Sequence, residues 1–178
     1  MIIGFAIAAI LILLILWMVN TKRRLSGMEE NVKRAMSQIG LQLSSRFDAL
    51  IALLEHMKER GMQEAQSMLN TVKARKKAIL PDSTPEDADR QEELLSEVLE
   101  QVYSNAATDP ALQNDAAYIK CMSSQDSFQK MANTSRLIYN DCVARLNREL
   151  KLFPTSLLGS LFGLREKSYY VSDMTANG

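Results

Sequence analysis

The apolar positions of this chain begin with an unbroken run from Ile2 to Val19, which is closely followed by three cations, Lys22, Arg23 and Arg24. As a helix, this run of about 18 residues would measure roughly 27 Å, close to the hydrocarbon thickness of a bilayer. Trp17 lies one turn before the cationic end, where an indole favours the headgroup layer. The pattern predicts a single transmembrane helix, with Ile2, Trp17 and Val19 among its anchoring residues.

The charges around this run predict its orientation. A secretory signal peptide is the alternative, but no cationic segment precedes the run and no small-residue cleavage site follows it. The positive charges follow the run and continue with Lys33 and Arg34, which favours a cytoplasmic body and an N-terminus outside. The spacing of Gly4 and Ala8 would let two such helices approach closely, so a homo-oligomer is an open alternative.

Beyond the run, apolar residues recur at steps of three and four, which is the spacing of one helix face. The repeat is near eleven residues, and such a period predicts a straight or slightly right-handed helix rather than a left-handed coiled coil. This first stripe consists of Leu25, Met28, Val32, Met36, Ile39, Leu43, Phe47, Leu50, Leu54 and Met57. It predicts a long first helix that stops near Gly61 or, in a competing topology, continues to Ile79.

Prolines and capping residues divide the remaining sequence into further helices. A second helix can reach Ile79 at most, because the segment Pro81–Pro85 reads as a connector. Thr84 directly before Pro85 predicts the N-cap of a third helix. A fourth helix is predicted from Leu112 to Leu152, since Pro154 forbids continuation.

Together, these elements predict an all-α protein with an N-terminal transmembrane helix and an antiparallel four-helix bundle of two long and two short helices. The predicted domains are a transmembrane anchor at residues 1–20, a cytoplasmic helical bundle at residues 21–164 and a disordered tail at residues 165–178.

Charge is balanced over the whole chain but segregated along it. There are 21 basic and 21 acidic residues, so no net charge indicates a nucleic-acid partner. Residues 80–112 carry nine acidic residues and one basic residue. The favoured interpretation is an acidic helix face beside basic helices, and an acidic docking site is the alternative. Cys121 and Cys142, about 31 Å apart if one helix carries both, are predicted to be unpaired thiols of a reducing compartment.

Several motifs, in order and at suitable spacing over residues 35–163, resemble those of LemA family proteins. The first is Ala35-Met36-Ser37-Gln38-Ile39-Gly40-Leu41-Gln42-Leu43 with Arg46-Phe47-Asp48, and the second is Ala74-Arg75-Lys76-Lys77-Ala78. The others are Arg136, Tyr139, Asn140, Asp141 and Val143, then Phe153-Pro154, and then Leu161-Phe162-Gly163. The resemblance implies a bacterial membrane-anchored helical bundle, placed in the cytoplasmic membrane, and it implies no catalytic residues.

The chain departs from this family pattern on its first helix. Met36 stands for an expected Trp, Gly40 for an Asp and Ile51 for a Pro, and a basic pair is replaced by Ser44 and Ser45. Loss of the proline predicts a straighter helix, and loss of the basic pair argues against an anionic contact at that level.

Few residues suggest chemistry. His56 is the only histidine and no paired cysteines accompany it, so no metal site and no cofactor are predicted. Arg136, Tyr139 and Asn140 share one side of the last helix, which makes them a candidate polar cluster. The favoured interpretation is that Tyr139 packs in the core while Arg136 and Asn140 satisfy neighbouring backbone groups or carboxylates, with Gln38 and Gln42 as candidate partners.

The apolar segment after Pro154 is a candidate interface contact through Leu157, Leu158, Leu161 and Phe162. In an up-down-up-down bundle it returns to the level of Lys22, Arg23 and Arg24, where it would either dip into the membrane interface or plug the base of the bundle.

The sequence thus predicts a non-enzymatic, membrane-anchored helical scaffold or adaptor. The expected partners are the lipid bilayer and a protein that binds acidic helix 3 at Glu92, Glu93 and Glu97 or the basic stretch at Lys73–Lys77. Nucleic acid and small-molecule substrates are not expected. The alternative function is membrane organisation by the anchor together with the Leu157–Leu164 segment.

Overall fold

A computed structural model describes residues 2–170, with side chains for all of them except Ile2, Ile3 and Ala6. Within this range the regular elements are helices, and no residue lies in a β-strand. The helices are α1 (Ile2–Glu59), α2 (Gln63–Arg75), α3 (Pro85–Thr108), α4 (Pro110–Gln113), α5 (Ala116–Lys151) and α6 (Thr155–Leu161). The predicted all-α class agrees with these elements, although the element count and several boundaries differ.

The chain divides into two compact units. The central unit is Ala35–Leu137, and the terminal unit combines Met1–Arg34 with Ile138–Gly178. Helices α1 and α5 contribute residues to both units. In the central unit, α1 and α5 run antiparallel, because Arg46 contacts Gln125 whereas His56, ten residues later, contacts Asp115, ten residues earlier.

The predicted N-terminal transmembrane helix is wrong. No helix in the described part of the chain is both long enough and apolar enough to cross a membrane.

The predicted stripe forms the buried face of α1. Its residues from Met36 to Met57 are all fully or nearly fully buried in the central unit, whereas Met28 in the terminal unit is only partly buried. The helix ends at Glu59, and Gly61 adopts φ 85°, a left-handed conformation that glycine tolerates. The boundary near Gly61 is therefore the correct one, and the competing helix to Ile79 is not formed.

The second helix is shorter than its sequence suggests. It ends at Arg75, and Lys76 is already extended at φ −60° and ψ 126°. The following residues cross α1 at Gly40, where a Cβ atom would collide with the carbonyl oxygen and side chain of Ile79. This close crossing replaces the last turn of helix that the apolar pattern predicts.

Capping side chains fix where α3 and α5 begin. The Thr84 hydroxyl accepts from the Asp87 N–H and the Asp87 carboxylate accepts from the Thr84 N–H, so both ends of a capping box are present. Asp115 accepts from the N–H groups of Ala117 and Tyr118 at the start of α5. The helix predicted to start at Leu112 thus begins four residues later, after the separate turn α4.

Three buried or half-buried charges join α1, α3 and α5 inside the central unit. The Glu92 carboxylate on α3 pairs with Arg136 on α5 and lies 3.8 Å from Arg46 on α1. Arg46 also donates to Gln125 at 3.1 Å, and the Gln125 amide donates back to the Arg46 carbonyl at 2.8 Å. Burial lowers the pKa of the Arg46 guanidinium, and Arg136 lowers it further against the opposing effect of Glu92. We call Arg46, Glu92, Gln125 and Arg136 the charge network.

In the terminal unit, the last described residues form no helix or strand and are hydrogen-bonded to α5. Asn140 and Asn147 bind the backbone of Tyr170 and Lys167, respectively. The disordered tail expected from residue 165 therefore does not describe residues 165–170. Residues 171–178 of that predicted tail lie outside the described range.

Replacing Glu92 with Gln is expected to lower the free energy of unfolding by about 3 kcal/mol, because two arginines would lose the carboxylate that compensates their buried charge. The matched control is Glu93→Gln, an exposed neighbour, for which a change within about 0.5 kcal/mol is expected. Urea unfolding followed by circular dichroism gives both values. Equal effects of the two substitutions would contradict the charge network as a stabilising element.

Gly40→Ala is expected to destabilise the chain by about 1–3 kcal/mol, since the added methyl group meets backbone that must shift. Gly27→Ala, on the same helix with open space around it, is expected to be neutral or stabilising by up to about 1 kcal/mol. Thermal unfolding of both variants tests the difference, and a stabilised Gly40→Ala chain would rule out the close crossing.

Asp115 supplies a pH-dependent contribution to stability. Its hydrogen bond with His56, helped by the α5 N–H groups, lowers the pKa of the Asp115 carboxyl below 3.8. A lowered folded-state pKa means that the stabilisation is present above pH 3.8 and is lost as the pH falls through the lower value. The stability difference between wild type and Asp115→Asn should therefore shrink in strong acid. Asp126→Asn, an exposed change on the same helix, should show no such trend.

Candidate functional site

The central unit contains an open groove of about 590 Å³ between residues 37–51 of α1 and a wall formed by the end of α2 and the segment that follows it. We call it the lysine groove. Its lining consists of Ser37, Gly40, Leu41, Leu43, Ser44, Phe47 and Ile51 from α1, with Lys73, Lys76, Lys77, Ala78 and Ile79 from the other wall.

The two walls of the lysine groove differ in chemistry. The α1 wall is apolar apart from two serines, and Leu41 is 57% exposed although it is a large aliphatic residue. The opposite wall carries three lysines together with Ala78 and Ile79. An exposed apolar surface edged by cations is suited to a ligand that is apolar on one side and acidic on the other.

Two of the three lysines already have acidic neighbours in the central unit. Lys76 lies 2.9 Å from Asp48 and its ammonium sits 5.5 Å from the centre of the Phe47 ring, while Lys73 is 3.9 Å from Glu55. Lys77 is exposed, and it forms no ion pair with any other residue that the structure describes. These are surface pairs, which are weak and can exchange partners.

Side chains of α3 and the connector hold the lysine-bearing segment in place. Gln91, which is buried, accepts from the Lys77 N–H at 2.7 Å and donates to the Arg75 carbonyl at 3.4 Å. The Leu80 N–H donates to the Ser83 hydroxyl at 3.0 Å. The segment is thus extended but fixed, and it gives the groove a preformed wall.

The structure separates the three residues of the predicted polar cluster. Arg136 belongs to the charge network of the central unit. Tyr139 and Asn140 belong to the terminal unit, where they donate to the carbonyls of Ser168 and Tyr170. Arg136 thus pairs with a carboxylate and Asn140 binds backbone groups, and the partners in these contacts are not Gln38 and Gln42.

The predicted interface segment is split between buried and exposed residues. Leu158 is buried, whereas Leu157 and Leu161 are 65% and 68% exposed. Phe162 lies under the Lys22 ammonium, 5.2 Å from the ring centre, and Arg24 pairs with Glu149 at 2.7 Å. Basic residues and the apolar segment do meet within the terminal unit.

Other residues of the predicted anchor and of the three cations that follow it are exposed. Trp17, Val19 and Arg23 all lie at the surface of α1, and the side chain of Ile2 is outside the described set. Exposure of these side chains alone does not place them at a membrane.

Two carboxylates of the acidic helix α3 form ion pairs with arginines of the central unit. Glu92 belongs to the charge network, and Glu97 pairs with Arg75 at 2.7 Å. Glu93 stays exposed. The favoured interpretation, an acidic face beside basic helices, therefore describes two of the three carboxylates proposed for docking.

The histidine and the two cysteines, which are the side chains most suited to chemistry, make structural contacts or are at least partly buried. His56 lies 3.0 Å from Asp115, which also receives a hydrogen bond from Arg60 at 2.8 Å. Cys121 and Cys142 are free thiols, and burial raises the pKa of both. Among the described residues, no three metal-ligating side chains come together.

The residues that position the groove were not among the predicted site residues. Arg46 follows the apolar stripe at the core spacing, and a cation at such a position signals a buried partner. Gly40 lies inside a helix, where glycine is unfavourable, and that cost signals a close backbone approach. Gln91 gave no signal, because its partners are backbone groups distant in sequence.

Comparison with known proteins agrees with the motifs. No curated protein matches the chain. The model of the LemA family matches residues 35–177, which is most of the sequence, so the chain belongs to the LemA family.

Proposed function

We propose that this LemA family protein is a non-enzymatic helical adaptor that binds an acidic, amphipathic segment of a partner protein in the lysine groove. The observation that carries the proposal is the exposed Leu41 facing a preformed wall of three lysines. A partner segment would place apolar side chains against Leu41 and Ile79 and acidic side chains against Lys73 and Lys77.

The backbone of the lysine-bearing wall supports an extended partner. Lys76 has strand-like dihedral angles, and the N–H groups of Lys77 and Leu80 bond to side chains rather than to a helix. An extended segment alternates its side chains between two faces, so alternating apolar and acidic residues would meet both walls.

The chemistry of the groove supports binding rather than catalysis. Its lining supplies serine hydroxyls and lysines but no histidine or carboxylate that would serve as a general base. His56 and Asp115 are paired with each other at the start of α5. The departures from the family pattern at Gly40, Ser44 and Ile51 all line the groove, which supports a partner particular to this chain.

The test uses the full chain and two short synthetic peptides, one alternating leucine with glutamate and one alternating leucine with lysine. The acidic peptide is expected to shift the NMR resonances of Leu41 and Ile79, with affinity that falls as salt screens the lysines. The double variant Lys73→Glu/Lys77→Glu is expected to weaken acidic-peptide binding at least about tenfold.

The matched control is Lys120→Glu, an exposed lysine of the central unit outside the groove, which should leave binding unchanged. Equal affinity for the two peptides, or an acidic peptide that ignores the double variant, would contradict the proposal.

A further inference from the structure

The terminal unit holds its own last residues in an unusual way. Lys167 and Tyr170 lie in no helix or strand, and each is bound through its backbone by one asparagine of α5. The Asn147 amide donates to the Lys167 carbonyl at 2.9 Å and accepts from the Lys167 N–H at 2.9 Å. Asn140 does the same with Tyr170, at 3.1 Å and 2.8 Å. Each side-chain amide therefore acts as one residue of a neighbouring strand would act.

The spacing of the two asparagines suits an extended chain. Seven residues separate Asn140 from Asn147, which is about 10.5 Å along a helix. Three residues separate Lys167 from Tyr170, which is about 10 Å along an extended chain. The distance between the two asparagines on the helix thus equals the distance between every third residue of an extended chain. This match in length depends on the backbone and not on the side chains of the segment.

Side chains add selectivity to this backbone pairing. The Tyr170 side chain is 5% exposed, and its ring meets Tyr139 edge-on with centres 5.3 Å apart. Tyr139 also donates to the Ser168 carbonyl at 3.2 Å. At the other end, the Lys167 ammonium lies 3.5 Å from Glu29 of α1. The sequence recognised is therefore an extended lysine, any two residues, and a tyrosine.

We infer that the surface formed by Glu29, Tyr139, Asn140 and Asn147 is a peptide-binding site, and that its occupant in trans is the Lys167–Tyr170 segment of a second copy of the chain. The segment of a second copy has the same backbone and the same two anchoring side chains, so it fits without any change in the site. Exchange of identical segments between copies is a low-cost route to association.

A glycine lies four residues before the segment that would exchange. Gly163, after α6, has φ 72°, and glycine there can adopt other backbone conformations without a steric cost. In one copy the segment competes for its own site at an effective concentration of order millimolar, so exchange in the wild-type chain is weak. Removing that competition exposes the site.

Two complementary full-length variants test the inference. Tyr170→Pro keeps the site but damages the segment, because it removes both the buried ring and the N–H that donates to Asn140, whereas Asn140→Ala/Asn147→Ala keeps the segment but damages the site. Each variant carries a donor or an acceptor fluorophore, and circular dichroism checks that both retain wild-type helix. Only the mixture of the two variants has one intact site and one intact segment, so energy transfer is expected in the mixture and not in either variant alone.

Competing peptides separate this site from any other contact between chains. A synthetic peptide with the sequence of residues 164–170 is expected to abolish the energy transfer. The same peptide with methylated nitrogens at the positions of Lys167 and Tyr170 keeps every side chain but loses both donors, and it should compete at least about tenfold more weakly.

Three outcomes would overturn the inference: no energy transfer in the mixture, equal transfer within a single variant, or equal competition by the two peptides. Binding of acidic peptides in the lysine groove belongs to other residues, so its success or failure does not alter these results.

Discussion

The central unit depends on one carboxylate shared by two arginines. Glu92 on α3 is the negative group between Arg46 of α1 and Arg136 of α5, so it sets how those three helices lie beside one another. Charges that are largely removed from water must be paired closely, which makes any slip of one helix unfavourable. Gln91, the residue before Glu92, then binds the extended segment after α2. The position of α3 thereby determines one wall of the lysine groove.

Local patterns predicted the parts of the fold that local physics controls. The α1 stripe, the stop near Gly61 and the capping box at Thr84 all follow from side-chain spacing, backbone conformation and short-range hydrogen bonds. The N-terminal span was a wrong prediction, since no helix in the described residues is long and apolar enough to cross a membrane.

Contacts between residues distant in the sequence could not be predicted from local patterns. The apolar Ile79 suggested one more turn of helix, but it lies on Gly40 of α1, and this crossing favours an extended backbone. The lysine groove exists because of that crossing. Likewise, the spacing of Arg136 and Asn140 places them on one helix face, yet Arg136 binds Glu92 and Asn140 binds the Tyr170 backbone. The spacing of residues along α5 does not predict such distant partners.

The asparagine pairing has a consequence for how this protein can change over generations. Because Asn140 and Asn147 bind only main-chain atoms of Lys167 and Tyr170, the residues between those two can be exchanged for others without losing a hydrogen bond. Inserting or deleting a single residue there is different, since it breaks the match between seven helical and three extended residues. Proline at either paired position would remove a donor. The number of residues in this segment is therefore under tighter physical constraint than the identity of the residues between Lys167 and Tyr170.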